Sequence, residues 1–167
     1  MKSIVCNSLL RFSIVACAAL TALAVPLAVR ADVQVYRDTL RSTAWVLAKN
    51  SDGTSSGTGV LVNTERKLLL TNFHVVGDAR AAVIFFPEIK DGKPVVDRQH
   101  YLDNLTRLGI RGSVIGVNRK RDLALIELQK LPQDTQAIPF AEESIGPGED
   151  VQSIGNPGAS EALWVYT

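Results

Sequence analysis

Cysteine is confined to the first 31 residues of this 167-residue chain, as Cys6 and Cys17. Everything after them lacks a disulfide and a thiol nucleophile, so its stability must come from packing. Histidine is as scarce, with only His74 and His100. Two histidines with no nearby cysteine and no H-E-x-x-H arrangement do not make a zinc site, so neither a metal site nor a cofactor is expected. Low-complexity runs and internal repeats are absent, and 46% hydrophobic with 21% charged residues are the proportions of a globular chain, not a disordered one. Charge of one sign is lacking too, since the formal net charge is +1. No nucleic-acid partner is implied.

The one long apolar run, Phe12 to Val29, lies near the start. Lys2 and Arg11 supply positive charge ahead of and at its edge, and Val29-Arg30-Ala31 offers a cleavage-like end. Residues 1–31 therefore read as a secretory signal peptide, with Asp32 as the new first residue. Pro26 and the cleavage-like end separate it from a membrane anchor, and the short, Arg11-interrupted stretch before Cys17 separates it from a lipoprotein box. Without Lys2, Arg11 and Arg30, 15 basic residues face 17 acidic ones. The mature protein is expected to be periplasmic or secreted, with no membrane association after cleavage.

From Asp32 the chain reads as one helical turn or an irregular lead-in, followed by short strands. Strands are expected at Thr43–Lys49, Thr58–Asn63, Lys67–Thr71, Ala81–Phe86, Ser113–Val117 and Leu123–Leu128, with a Gly/Ser/Asn/Asp-rich turn over Asn50–Gly57. Short apolar runs at this spacing indicate an all-β barrel or sandwich. Between the fourth and fifth strands, Pro87–Pro94 is a loop with Asp91-Gly92 at its tip. Asp97–Gly109 then reads as a helix with Asp97 as N-cap and Tyr101, Leu102, Leu105 and Leu108 on one face. Trp45 and Trp164 read as packing residues, and Arg119-Lys120-Arg121 as a solvated turn.

The chemistry concentrates in Lys67–Gly77, KLLLTNFHVVG. A histidine at the end of a rigid, buried strand is positioned before any substrate arrives, as a general base requires. Asp122, at the head of a second apolar strand 48 positions later, is the candidate to orient it. Asn72 and Thr71 are expected to satisfy backbone groups around the histidine turn. His100 reads as a solvated surface residue. Gly53-Thr54-Ser55-Ser56-Gly57 matches the G-x-S-x-G nucleophile elbow, but that elbow must lead into a helix and here a strand follows. The glycines and serines there are taken as turn residues.

Four segments occur in a telling order: Gly57-Thr58-Gly59-Val60-Leu61-Val62, Leu70-Thr71-Asn72-Phe73-His74-Val75-Val76, Asp122-Leu123-Ala124-Leu125 and Ser153-Ile154-Gly155-Asn156-Pro157-Gly158. In this series the chain resembles the trypsin-like serine proteases, and most closely their bacterial secreted, HtrA-like branch. Val75 stands where animal digestive members usually carry a cysteine. The resemblance implies an all-β double barrel and a serine endopeptidase acting on protein or peptide substrates through an acyl-enzyme, with His74 as general base and Asp122 as its orienting acid. On that frame residues 32–141 form the first six-stranded barrel, carrying a helical insertion near 87–112. Residues 142–148 are the linker, within a stretch (Lys130–Gly148) rich in Pro, Gly, Gln and Glu, and 149–167 open a truncated second barrel. The chain departs from the family pattern in one respect, because no Gly-x-Ser-Gly-Gly element precedes Thr167. It is accordingly expected to be an N-terminal fragment without the nucleophile, inactive alone. The alternative is a non-catalytic exported module that keeps the barrel as a binding surface.

Overall fold

The computed structural model describes residues 33–158 and 161–166. The signal peptide expected over 1–31 lies outside the described residues. In chain order the elements are α1 (Val33–Leu40), β1 (Thr43–Asn50), β2 (Gly53–Asn63), β3 (Leu68–Thr71), α2 (Phe73–Val76), β4 (Ala81–Phe85), β5 (Ile89–Lys90), β6 (Lys93–Pro94), α3 (Arg98–Asp103), α4 (Leu105–Leu108), β7 (Ile110–Asn118), β8 (Leu123–Leu128), β9 (Ile154–Gly155) and β10 (Val165–Tyr166).

Six of the strands close into a barrel in the order β1-β2-β3-β8-β7-β4, with every pair antiparallel. Closure leaves these strands no free edge. The cause is visible in the alternation of side chains. In β8, Ala124, Ile126 and Leu128 are buried while Glu127 faces solvent. Together with Val46, Leu61, Leu69, Val76 and Ile84 they fill the barrel, each large aliphatic side chain contributing about 1.5–3 kcal/mol by its removal from water.

The first hairpin is tighter than its composition suggests. Asn50 pairs with Gly53, so Ser51 and Asp52 alone make the turn and β2 begins where a loop was expected. The small, polar residues of Gly53–Gly57 answer to a neighbour instead. Ser55 Oγ donates to the carbonyl of Val75, and a Cβ on Gly57 would lie 2.4 Å from Val75 Cγ2. The strand is built to let α2 sit on it, and no helix follows it as a nucleophile elbow would need.

The helix expected over 97–109 is two helices. Asp97 does cap the first, accepting from Gln99 N at 2.9 Å. At Asn104 (φ −107°, ψ 26°) the backbone leaves helical geometry, while the side-chain amide donates to His100 O at 2.8 Å. The break shifts the phase of the face. Tyr101 is fully buried, but Leu102 and Leu105 are exposed.

Tyr101 sits in a second core with Leu40, Trp45, Phe85, Leu163 and Trp164. Both tryptophans are thus packing residues. The insertion also grips the chain's last described segment, through Leu163 N to Val96 O at 2.8 Å and Trp164 Nε1 to Val95 O at 3.0 Å. In that segment β9 pairs with β10, and 149–153 has no regular structure.

Asn156 joins this segment to the barrel. Almost wholly buried, it donates to Ala44 O at 3.1 Å, accepts from Trp164 N at 2.9 Å, and its own N–H reaches Thr58 Oγ1 at 2.7 Å. Asn156→Ala strands a buried carbonyl and a buried N–H, so we expect a loss of about 1–3 kcal/mol. In urea this would be read as a lower midpoint at unchanged m-value.

Candidate active site

The site grows out of the end of β3. Thr71 is buried, and its hydroxyl donates to Thr58 O at 2.7 Å, fixing the strand's exit. Val75 and Val76 then plunge into the barrel core, which turns the intervening imidazole outward. The turn stops at Gly77, whose φ of 58° suits glycine and whose N–H donates to Phe73 O at 2.7 Å. The burial of its two successors therefore decides where His74 points. Its side chain is 71% exposed.

Asp122 arrives at the head of the strand next to β3. A 3₁₀ turn over Arg119–Arg121 is held by Asn118 Oδ1, which accepts from Arg121 N at 3.0 Å. Asp122 ends the turn in the left-handed region (φ 52°, ψ 47°), a conformation aspartate tolerates better than most residues. Because β8 begins at the next residue and pairs with β3, Asp122 is delivered to the mouth of the histidine turn. Its Oδ2 lies 2.7 Å from His74 Nδ1, and its Oδ1 accepts from His74 N at 2.8 Å. The hydrogen bond from the His74 backbone N–H, followed by that from the ring, holds the Asp122 carboxyl below the usual carboxylate range. An ionised carboxylate on Nδ1 fixes the ring with its proton there and leaves Nε2 as an acceptor. Such an imidazole is suited to removing a proton from a hydroxyl.

The two residues singled out in the sequence are thus brought together, and His100 is not with them. Its Nε2 is 2.6 Å from Glu88 Oε2 and its side chain is 19% exposed, a half-buried position against a carboxylate in place of the solvated one expected. Arg107 Nη1 contacts Glu88 Oε1 at 2.6 Å, and Lys90 approaches the same carboxylate. Sequence offers no signal for this node, because Glu88 lies beside a hairpin and its hydrogen-bonded partners His100 and Arg107 in two separate helices. Arg107 first, then His100, pushes the Glu88 pKa down to about 2, from an ordinary 4.5. A depressed folded-state value means stability that is present above about pH 4.5 and lost as the pH falls toward 2. Acid unfolding of the parent should therefore show a loss across that window that is smaller in Glu88→Gln. Among the described residues, no group of three or more His, Cys, Asp or Glu side chains could hold a metal ion.

Known proteins resemble this chain in sequence and fold. The sequence matches the family described as trypsin-like peptidase domain over residues 57–166. A curated relative from Haemophilus influenzae, a probable periplasmic serine protease do/HhoA-like, is 26% identical over 102 residues, which cover 60% of this chain and 18% of that protein. The chain thus spans under a fifth of that relative. Among solved structures, the active form of the Rv3671c protease from M. tuberculosis aligns with a TM-score of 0.56 and 21% identity over 77% of this chain and 48% of that one. The serine endoprotease from Yersinia pestis aligns with a TM-score of 0.53 and 21% identity over 75% and 39%. These likenesses establish a shared fold. With well over half of its sequence matched by one family, this chain belongs to the trypsin-like peptidase domain family.

Proposed function

We propose that the chain carries the general base and the orienting acid of an exported serine endopeptidase, His74 and Asp122, which hydrolyses peptide bonds in protein substrates. The observation that carries this reading is the double engagement of one carboxylate with one histidine, at 2.8 Å to its backbone N–H and 2.7 Å to its ring. In this mechanism Nε2 takes the proton of a serine hydroxyl as the oxygen attacks the substrate carbonyl. Asp122 stabilises the imidazolium, the proton passes to the leaving amine, and water resolves the acyl-enzyme by the same route.

The domain assignment goes with this reading: a signal peptide at 1–31, a first barrel at 32–141, a linker at 142–148 and the opening of a second barrel at 149–167. Periplasmic or extracellular placement follows from export. The nucleophile belongs to a Gly-x-Ser-Gly-Gly element, which residues 32–167 do not contain. A polypeptide of those residues alone should therefore show no turnover.

The deciding experiment is activity-based labelling of the protein expressed from its own gene, using a fluorophosphonate probe. Labelling at a serine that is lost in His74→Ala supports the proposal. Absence of labelling, with no peptidase activity on casein, would leave the barrel as a non-catalytic binding module.

A further inference from the structure

Asn72 stands at the N-cap of α2, where an asparagine side chain ordinarily accepts a hydrogen bond from a backbone N–H two or three residues on. It makes no such bond. The N–H at the second position of the turn, that of His74, is given to Asp122 Oδ1 at 2.8 Å. Asp122 thus caps the turn from 50 residues away, and the asparagine amide is diverted to Asp122 itself. Asn72 Nδ2 donates to the Asp122 main-chain carbonyl at 3.1 Å and lies 3.3 Å from its Oδ2. That oxygen is the one that meets the imidazole Nδ1 at 2.7 Å.

From this exchange of caps we infer that Asn72 is a positioning residue, whose amide bridges the Asp122 carbonyl and carboxylate and so locks that side chain onto His74. The physical need is specific. Asp122 is held in a left-handed conformation, which even aspartate, more tolerant than most residues, adopts at some cost, and nearly half of its side chain is open to water. Rotation of its carboxylate would exchange the two bonds to His74 for bonds to water, and relaxation of its backbone would release the left-handed conformation. A donor that touches the main chain and the side chain together opposes both motions. All the groups involved, Asn72, His74, Asn118 and Asp122, belong to the first barrel. The base and acid are therefore aligned within it.

The inference rests on the reading of His74 and Asp122 as base and acid, and its test is kept separate from activity. The histidine tautomer of the 32–167 polypeptide is read by long-range proton–nitrogen NMR at a pH where the ring is neutral, beside a urea denaturation curve. In the parent the Nδ1–H form should predominate. In Asn72→Ala, and in the similarly sized Asn72→Asp, whose carboxylate offers the His74 N–H a cap of its own, the Nδ1–H form should become the minority at an essentially unchanged urea midpoint. A parent-like tautomer in both variants overturns the inference, and so does a tautomer change that only tracks loss of folded protein. In the protein that also supplies the serine, Asn72→Ala should lower kcat about tenfold with KM unchanged, the loss of roughly one charge-assisted hydrogen bond. Peptidase activity surviving His74→Ala would instead remove the base-and-acid reading, whatever the tautomer of the Asn72 variants.

Discussion

On the proposed reading of His74 and Asp122 as base and acid, Asp122→Asn, placed in a protein that supplies the serine, is expected to lower kcat about 10⁴-fold at neutral pH with little change in KM. The reason is a mismatch of donors. The carboxylate accepts from two N–H groups of the same residue, backbone and ring, at 2.8 and 2.7 Å. An asparagine has one accepting oxygen and one donating nitrogen. If its oxygen keeps the backbone N–H, its NH₂ faces Nδ1, which must then be the unprotonated nitrogen. The imidazole proton moves to Nε2, and the face that should take the serine proton already holds one. The alternative flip leaves the His74 N–H pointing at a donor and loosens the turn. Fluorogenic peptide kinetics give the fall in kcat. The NMR experiment used for Asn72 gives its cause, as a switch from the Nδ1–H to the Nε2–H form. A variant with parental kcat would show that Asp122 does not set the tautomer.

Tyr101→Ala is expected to cost about 3–5 kcal/mol, the range for deleting a large aromatic side chain from a packed core. Among the described residues, no other ring holds so many parts together. Fully buried, it lies against Trp45, Phe85, His100 and Trp164, with centroids 6.4, 5.7, 5.4 and 6.0 Å away. Those neighbours come from the barrel, the insertion and the last described segment. The hydroxyl adds two bonds, donating to Val95 O at 2.8 Å and accepting from Glu88 N at 3.0 Å. Burial accordingly raises the phenol's pKa. Tyr101→Phe keeps the ring and loses only these bonds, so it should cost about 1–3 kcal/mol. The two variants compared in urea separate packing from hydrogen bonding. Equal losses would assign the residue's contribution to its hydroxyl.

Much of this architecture was legible in one dimension. The six barrel strands follow from short apolar runs bounded by turn chemistry. The helical insertion announces itself by a change of period, and Asp97 acts as the cap its residue type suggests. His74 and Asp122 could be paired because each heads or ends a recognisable strand motif. Errors arose where a residue serves a distant neighbour. Gly53–Gly57 has the composition of a loop, yet it is strand, small because α2 packs onto it. Leu102 and Leu105 have the spacing of a buried face, yet Asn104 breaks the helix between them. His100 looked solvated, because the glutamate that engages it lies beside a hairpin, 12 residues earlier.

The sequence by itself determined the local terms: which segments extend, where they turn, and which titratable side chains stand at strand ends. These depend on propensity and periodicity within a few residues. Only the tertiary structure decided that Asp122 replaces Asn72 as the cap of the histidine turn, that Asn72 grips Asp122 in return, and that Asn156 bolts a segment 112 residues away onto Ala44. Those bonds exist because barrel closure brings β3 beside β8 and lays the last segment against β1. Hydrogen bonds are short and directional, so their pairing is set only once closure has placed the donors and acceptors within about 3 Å of each other.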